Sequence, residues 1–531
     1  MNFRIVDSAS APSMGNEVLL VKDNWNDWFI WVTQFYVIVV DATQRRFPIG
    51  HVKIARADMT SENAVTATNL PASFPGLDAP WFSIGQTENY YETLNELGDS
   101  YRDSYLSALR DVARSLPLLD QYASAEVMTR SLLRDIDTER VRSRFNRLAN
   151  GNAALTSYAF KFKYPVDSRT NSPPPELTFE VTPSSNPPTN VHVLIGRNGV
   201  GKTRCFDMLS RAFLGLPPRE DGQSAGELGP VGHQAPVVGK GHGFAGLITV
   251  SFSPFDEYGP LVSSASRLEV KYAYVGLIRE TADQTETSGR ARTDDLQLLT
   301  IKGRPELAKD FLHSIGVCRV GARRRRWVSA IAALEADPLF EESHARDVIE
   351  DESDGWEDRT MRWFRRLSSG HSVVLLTITR LVELVEEKSL VLIDEPEGHL
   401  HPPLLAAFIR ALSLLMINRN GVVVIATHSP VVLQEVPRLC SWVINRVGHA
   451  TRADRPELET FGENVGILTR EVFGLEVLQT GFYRLISEAS QAGYEQVLAR
   501  FGTRLGGEAR SLARALSLIP PPPPAAEAED E

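Results

Sequence analysis

The sequence predicts an α/β fold: a mixed sheet flanked by helices, with a helical insertion and an α+β N-terminal region. Apolar runs typical of buried strands lie at residues 191–195, 389–394 and 422–427. Apolar residues recur at helical spacing over residues 205–213 and 372–385. Glycine, acidic residues or histidine follow the three strand runs, at the edge where open α/β sheets bind ligands.

Length and composition restrict the class of protein. At 531 residues the chain exceeds one ordinary domain, and its 43% apolar content allows a large core. The net charge of −11 excludes a bulk polycation, so contact with nucleic acid would need a local basic patch. The cysteines are far apart and form no CxxC pair, which favours a reducing, cytoplasmic location. No secretory signal is expected, and the apolar run at residues 28–40 is too short to span a membrane.

The N-terminal region, residues 1–150, has no motif that assigns it a role. We expect strands at residues 28–40 and 49–54, followed by helices from residue 88. No heptad repeat of coiled-coil length is present. The remaining predicted parts are an α/β unit split into 151–258 and 364–450, a mostly helical insertion at 259–363, a helical extension at 451–515 and a disordered tail at 516–531.

A phosphate-binding loop follows the first strand run. Gly196-Arg-Asn-Gly-Val-Gly-Lys-Thr203 matches G-x-x-x-x-G-K-[ST] between a strand and a helix. Lys202 is expected to reach the β- and γ-phosphates, and the Thr203 hydroxyl to bind Mg²⁺. A chance match in a glycine-containing turn is the alternative, and the flanking elements argue against it. The residues expected to bind the nucleotide here are Gly196, Asn198, Gly199, Gly201, Lys202, Thr203 and Arg204.

Acidic residues and a histidine end the other two strand runs. Asp394 is placed to hold Mg²⁺, and the adjacent Glu395 to orient or deprotonate the attacking water. His428 ends the third strand, where it can sense the γ-phosphate by hydrogen bonding. We therefore expect Glu395, His428 and Lys202 to be the catalytic residues. The alternatives are two surface acids at a turn and a structural histidine.

A short motif, Leu367-Ser-Ser-Gly-His371, opens the helical run upstream of Asp394. Alone it is too short to assign, and a serine-capped helix is the plain alternative. Together with the phosphate loop, D-E-P-E-G-H-L-H-P and A-T-H-S-P, it resembles the ABC/SMC-like P-loop ATPases over roughly residues 155–445. That resemblance implies ATP and Mg²⁺ as cofactors. It also implies that two ATPase domains, called heads, form a homodimer or a higher even oligomer. Ser368, Ser369 and Gly370 would then bind the γ-phosphate of the ATP held by the other protomer.

The motif that starts at Asp394 restricts the resemblance to a smaller group of ATPases. D-E-P-E-x-H-L-H-P resembles the stand-alone Septu- or retron-associated and OLD-type anti-phage defence ATPases, here without a Toprim domain, rather than transporter ATPases. This implies a separate nuclease effector, such as an HNH-type protein. The family's Q-loop glutamine has no match, and Ser253 or Asp256 is the candidate replacement near the metal. His399 and His401 form an H-x-H that lacks further ligands, so a D-loop at the dimer interface is the preferred interpretation.

A basic run lies in the predicted insertion: Arg323, Arg324, Arg325 and Arg326, followed by Trp327. The arginines could contact nucleic-acid phosphates while Trp327 stacks on a base. A solvated helix face, or pairing with the acids at residues 347–358, explains the run equally well.

The sequence as a whole predicts an enzyme that hydrolyses ATP to ADP and phosphate. Two heads would close around ATP and gate a nuclease in an anti-phage defence system. An SMC-type DNA repair or maintenance ATPase is one alternative, although coiled-coil arms are absent. A nucleotide-sensing scaffold with little turnover is another, because the Q-loop glutamine is missing.

Overall fold

The computed structural model describes the chain except for residues 24, 29, 61, 63, 137, 152–156, 168, 171, 218–223, 232–242, 254–260, 262–269, 280–300, 480 and 519–531. The N-terminal region combines a sheet with short helices. Its elements are β1 (Phe3–Val6), β2 (Glu17–Lys22), β3 (Gln34–Val40), β4 (Arg46–Arg56), α1 (Thr66–Asn69), β5 (Ser73–Phe74), β6 (Trp81–Gly85), α2 (Glu88–Glu96), α3 (Asp99–Ala108), α4 (Leu116–Tyr122), α5 (Thr138–Arg140) and α6 (Asn146–Ala149), with π-helical turns at Met128–Leu132 and Val141–Phe145.

The strands of this region form one sheet in the order β5-β1-β2-β3-β4-β6. One face packs on α2 to α6 through a core that includes Val37, Ile54, Tyr90, Tyr105 and Leu109, all fully buried. The predicted α+β region is therefore present. The predicted strand at residues 28–40 begins later, at Gln34, because Trp28 has a φ of +58° and the backbones of Asp27 and Trp31 hydrogen-bond to each other.

The ATPase sheet follows. Its strands, with those of a smaller antiparallel sheet (order β10-β7-β8), are β7 (Tyr158–Lys163), β8 (Glu176–Val181), β9 (Val191–Ile195), β10 (Glu227–Pro230), β11 (Gly246–Ser251), β12 (Lys271–Gly276), β13 (Leu390–Asp394), β14 (Val422–Thr427), β15 (Ser441–Val447) and β16 (Ala450–Asp454). In the described residues the larger sheet has seven strands, ordered β12-β11-β13-β14-β9-β15-β16. All of them are parallel except β16, which pairs antiparallel with β15. This is the predicted mixed sheet.

Helices cover both faces of the ATPase sheet. They are α7 (Lys202–Leu214), α8 (Arg304–Cys318), α9 (Ala322–Leu334), α10 (Pro338–Glu341), α11 (Asp347–Glu350), α12 (Trp356–Phe364), α13 (Ser369–Leu384), α14 (Pro402–Arg419) and α15 (Pro430–Gln434), with 3₁₀ turns at Pro396–His399 and Arg438–Cys440. Because side chains alternate along a strand, Leu390 and Leu392 of β13 pack toward α7 and the small antiparallel sheet. Val391 and Ile393 pack toward α8, α9, α13 and α14.

The insertion predicted as mostly helical, residues 259–363, also contains a strand. β12 joins the edge of the ATPase sheet by pairing in parallel with β11, so this part of the insertion belongs to the head. Its sequence, Lys-Tyr-Ala-Tyr-Val-Gly, is rich in the aromatic residues that favour strands. The remaining described part of the insertion is helical, from α8 to α12.

The described elements after β16 are helical: α16 (Val465–Gln479), α17 (Gly481–Ser490), α18 (Tyr494–Phe501) and α19 (Gly507–Leu516), with a 3₁₀ turn at Gly502–Arg504. The helical extension predicted at 451–515 starts later than expected, because residues 450–454 form β16, which pairs with β15 at the edge of the ATPase sheet. The last three helices share a small core of their own. Most of the predicted tail lies outside the described residues.

Burial raises the pKa of the thiols of Cys205, Cys318 and Cys440 to about 12, and these cysteines form no disulfide.

In the described part of the chain, one helix is long and apolar enough to cross a membrane, α14. It lies between the sheet and α9, and 61% of its apolar window is buried in the protein, as expected for a core helix.

Candidate nucleotide site

The phosphate loop connects β9 to α7 through glycines that no other residue replaces easily. A Cβ on Gly196 would lie 2.4 Å from the carbonyl oxygen of Ile444, so the loop passes close to β15. Gly199 and Gly201 have φ values of +80° and +98°, in the region that favours glycine. The turn leads into the N-terminus of α7, whose free backbone N–H groups can bind phosphate. The loop therefore fits an anionic phosphate chain.

Lys202, the first residue of α7, lies under this loop. Its ammonium group donates to the carbonyl oxygens of Gly196 and Arg197, each at 3.1 Å. The same nitrogen is 3.5 Å from Oε1 of Glu395, and Lys202 is only 4% exposed. The structure thus brings together two residues that are 193 positions apart (395 − 202), as the sequence predicted.

Oxygen ligands suitable for Mg²⁺ line a cavity beside the loop. Asp394 ends β13 and is in register with Ser251 of β11 on one side and Ala426 of β14 on the other. Asp394, Ser251 and Thr203 line the same cavity. A carboxylate with two hydroxyls is the donor chemistry that Mg²⁺ prefers. Thr203 and Asp394 therefore fit the metal site predicted for them.

Glu395 directly follows β13 and His428 directly follows the neighbouring strand β14, so the two side chains lie close together. The backbone N–H of Glu395 donates to Ala426 O at 2.9 Å, and its φ of +43° is a left-handed conformation uncommon outside glycine. The Nδ1 atom of His428 lies 3.7 Å from Oε1 of Glu395. Both side chains are partly exposed, at 36% and 43%, so water can reach them. Lys202, Glu395 and His428 therefore form one cluster.

Glu397 lies beside this cluster, and the sequence analysis assigned it no chemical role. Its side chain is 8% exposed, and Oε1 accepts from Thr427 Oγ1 at 2.6 Å and from the backbone N–H of His428 at 2.7 Å. The same oxygen is 3.1 Å from His428 Nδ1. The sequence feature that could have pointed to Glu397 is its position three residues after Asp394, the acidic residue that ends β13.

A second cavity lies on the other flank of the loop. Gly201 and Arg204 line it on one side, and Tyr164, Arg446 and His449 on the other. Arg204, predicted to contact the nucleotide, therefore lines a cavity next to the phosphate loop.

The signature residues lie at the start of α13. Ser368 is the N-cap, and its Oγ accepts from the backbone N–H of His371 at 3.2 Å, so the plain capping interpretation is correct. Ser368 and Ser369 are exposed, whereas Gly370 is buried. A Cβ on Gly370 would lie 2.6 Å from the carbonyl oxygen of His399, which explains this glycine by packing within the chain.

The remaining metal candidates are not assembled into a second site. Asp256 lies outside the described residues. Ser253 is described and its backbone N–H donates to Ser251 Oγ at 3.4 Å. His401 is 3.6 Å from Asp337, and among the described residues no group of three or more potential ligands surrounds it or His399.

The basic run contacts carboxylates of the same chain. Arg326 Nη1 is 2.7 Å from Glu92 Oε2, Arg325 pairs with Glu96, and Arg324 Nη1 is 3.7 Å from Glu352 Oε1. Arg323 is largely buried, and burial lowers its pKa. The predicted stacking of Trp327 on a base is wrong, because this side chain is fully buried. Its Nε1–H donates to Thr379 Oγ1 at 2.9 Å. Nucleic-acid contact by the arginines stays a prediction.

The chain was compared with known protein families, sequences and structures. Residues 319–434 match the family described as "AAA domain, putative AbiEii toxin, Type IV TA system", a stretch that holds the signature residues, Asp394, Glu395 and His428. A metal-chelate type ABC transporter in an inward-facing conformation is 14% identical, over 60% of this chain and 88% of its own, but its TM-score of 0.29 is too low to support an argument. Protein ea59 of Escherichia phage lambda is 36% identical over 524 residues, covering 94% of this chain and 95% of the relative. The chain therefore belongs to the family of phage lambda protein ea59 and contains an AAA-type P-loop ATPase domain.

Proposed function

We propose that the chain hydrolyses ATP to ADP and phosphate at the cluster of Lys202, Glu395 and His428. The observation that carries this proposal is the position of Glu395, whose Oε1 lies 3.5 Å from Lys202 Nζ and 3.7 Å from His428 Nδ1. A partly exposed carboxylate beside a phosphate-binding lysine is placed to accept a proton from an attacking water. Without a nearby phosphate site, the same carboxylate would only pair with the lysine.

Each residue then has a separate task. Lys202 leaves the carbonyls of Gly196 and Arg197 to contact the β- and γ-phosphates, and the N-terminus of α7 adds backbone donors. Thr203 and Asp394 would hold Mg²⁺, which neutralises charge on the phosphate oxygens when it is bound. Glu395 orients the water, and His428 hydrogen-bonds the γ-phosphate. This positioning and charge stabilisation is most of what phosphoryl transfer requires.

The nucleoside would occupy the cavity lined by Tyr164, Arg204, Arg446 and His449. This cavity adjoins the phosphate loop at Gly201 and opens to solvent. Arginine and histidine side chains can stack on a base or hydrogen-bond to ribose hydroxyls. ATP would then extend from this cavity, across the loop, to Glu395.

A second copy of the chain would complete the site. Ser369 is exposed at the N-terminus of α13, a helix end that can bind an anion. Among the residues that the structure describes, none forms a hydrogen bond with the Ser369 side chain, whereas Ser368 is needed as the cap. We therefore propose a homodimer of heads in which Ser369 and Gly370 contact the γ-phosphate bound by the other protomer.

The closing and opening of such a pair would control the activity of a partner protein. We propose that this partner is a nuclease, such as an HNH-type protein, and that the pair acts in anti-phage defence. The family description that matches residues 319–434 names a toxin of a toxin–antitoxin system, which supports a role in conflict between genomes. The relative from phage lambda is compatible with that role. The cytoplasm is the compartment in which such a system would act.

The direct test of hydrolysis is phosphate release by the purified full-length chain. Wild type should turn over ATP in the presence of Mg²⁺, and Glu395→Gln should reduce kcat about 100-fold while ATP still binds. Lys202→Ala should lose ATP binding itself. Glu435→Gln is a matched control, because Glu435 binds Arg410 at 2.7 Å, away from the site. Equal rates in wild type and Glu395→Gln would refute the proposed role of Glu395.

The proposed assembly has its own test. Mass photometry of Glu395→Gln should show a monomer without nucleotide and an even-numbered oligomer in ATP, and a pull-down in ATP should retain a nuclease. A monomer under both conditions would refute head pairing, although hydrolysis could still stand.

A further inference from the structure

Glu397 connects the two strands that carry Glu395 and His428. It lies in the 3₁₀ turn Pro396–His399, directly after β13, and its side chain crosses to the end of β14. There Oε1 accepts from the Thr427 hydroxyl at 2.6 Å and from the His428 backbone N–H at 2.7 Å. One carboxylate oxygen therefore fixes the backbone at the point where His428 leaves the sheet.

The same oxygen also faces the His428 ring. Nδ1 lies 3.1 Å from Glu397 Oε1 and 3.7 Å from Glu395 Oε1, so both nearby carboxylates are on the Nδ1 edge. The two ring nitrogens of histidine lie on different edges. Nδ1 forms no hydrogen bond with the described residues, so distance alone places this edge beside the carboxylates. The Nε2 edge is then left for another group.

We propose that Glu397 is a positioning residue that aims the Nε2 edge of His428 at the γ-phosphate of bound ATP. This inference rests on the proposed function, in which His428 contacts that phosphate. Glu397 does not itself touch nucleotide. It acts through His428, as carboxylates commonly do when they orient a functional imidazole.

The charge of Glu397 is not explained by its backbone contact. A glutamine amide oxygen could accept from the same Thr427 hydroxyl and His428 N–H, without the cost of burying a charge. The second carboxylate oxygen, Oε2, is buried and accepts no hydrogen bond from the described residues. What a carboxylate adds at this position is a negative charge 3.1 Å from the His428 ring.

The test compares Glu397→Gln, which keeps the two accepted hydrogen bonds, with Glu397→Ala, which loses them. Both variants are also made in a His428→Ala background, and Glu435→Gln serves as the control for the same chemical change elsewhere. We measure kcat and KM for ATP, and the ratio of affinities for a non-hydrolysable ATP analogue and for ADP. The affinity ratio reports recognition of the γ-phosphate without turnover.

A positioning role predicts that Glu397→Gln lowers kcat about 10-fold or more with little change in KM. It also predicts a smaller preference for the ATP analogue over ADP, and no further effect of Glu397→Gln once His428 is alanine. Unchanged kcat and affinity ratio in Glu397→Gln would overturn the proposal. So would an equal loss of kcat for Glu397→Gln with and without His428.

The two proposals fail in distinguishable ways. A wild-type chain that prefers the ATP analogue but releases no phosphate would refute hydrolysis, and the affinity ratio of Glu397→Gln would still decide the role of Glu397. A wild-type chain that hydrolyses ATP while Glu397→Gln behaves like wild type would refute only the role of Glu397.

Discussion

Arg419 and Glu88 form a buried ion pair in which Arg419 Nη2 lies 2.7 Å from Glu88 Oε2. Arg419 ends α14, just before β14, and Glu88 begins α2 in the N-terminal region. Glu88 Oε2 also accepts from the backbone N–H of Glu387, three residues before β13, at 3.1 Å. The N-terminal region therefore contacts the chain where it enters the two strands that carry Glu395 and His428.

Removing the Glu88 charge should destabilise the protein. Glu88→Gln would remove one of the two carboxylates that pair with Arg419, which is 4% exposed, while Glu92 would keep its contact. We expect a loss of about 2 kcal/mol in the free energy of unfolding. Urea denaturation followed by tryptophan fluorescence measures this change. The matched control is Glu96→Gln, whose partner Arg325 is 63% exposed, with an expected change of about 0–1 kcal/mol. Equal effects of the two variants would show that the buried pair is not a major contact.

Asp111 should make stability depend on pH with a sign opposite to that of most carboxylates. Burial raises its pKa from 3.8 to about 6, against hydrogen bonds from Arg114 N, Tyr91 and other donors. The folded state binds this proton more tightly than the unfolded state does. Burial of the ionised carboxylate therefore lowers the free energy of unfolding by its full amount above pH 6, and by nothing below the unfolded pKa of 3.8. Between pH 7 and pH 5 this group should add about 1 kcal/mol of stability.

The measurement for Asp111 is urea denaturation at pH 7 and pH 5 for wild type and Asp111→Asn. Other groups titrate equally in both proteins, so the difference between the two pH dependences isolates Asp111. The variant should lack the gain that wild type shows on acidification. Parallel pH dependences would contradict the raised pKa.

Ser369 and Gly370 should respond differently to substitution by alanine. Gly370→Ala places a Cβ 2.6 Å from the backbone carbonyl of His399, so it should lower stability and displace the turn Pro396–His399. Ser369→Ala changes an exposed side chain and should leave the melting temperature unchanged. If Ser369 contacts ATP across a dimer, Ser369→Ala should reduce ATP-dependent association in mass photometry. Normal association of Ser369→Ala would contradict the contact in trans.

The parts of the site that lie on continuous motifs were predictable from the sequence. β9 has the predicted bounds, Val191–Ile195, and α7 follows the loop directly. Asp394 ends β13 as expected. In these segments the apolar pattern, the glycines and the polar strand ends all indicate the same local structure, which is the condition under which local signals are reliable.

The parts that depend on distant contacts were not predictable. The sequence did not show that Arg325 and Arg326 pair with Glu96 and Glu92 of α2, which lie more than 200 residues away. Trp327 looks like a stacking residue, yet the fold buries it against Thr379. Glu397 is one acid among several in sequence, and only the register of β13 with β14 brings it to Thr427 and His428.

Substitution of Asp394, the proposed Mg²⁺ ligand, should separate nucleotide binding from hydrolysis. Asp394→Asn keeps the size of the side chain but removes the charge that would hold Mg²⁺ beside Thr203. We expect kcat to fall about 100-fold and the Mg²⁺ concentration for half-maximal rate to rise. ATP should still bind through Lys202 and the N-terminus of α7.

Phosphate release measured over a series of Mg²⁺ concentrations, with ATP affinity measured in parallel, gives both quantities. EDTA should abolish turnover in wild type. Asp207→Asn is the control, since Asp207 lines the same cavity but binds Arg211 at 3.3 Å on α7. If Asp394→Asn and Asp207→Asn required the same Mg²⁺ concentration as wild type, Asp394 would not be the metal ligand. The carboxylate that ends β13 would then act only by holding the turn that carries Glu395.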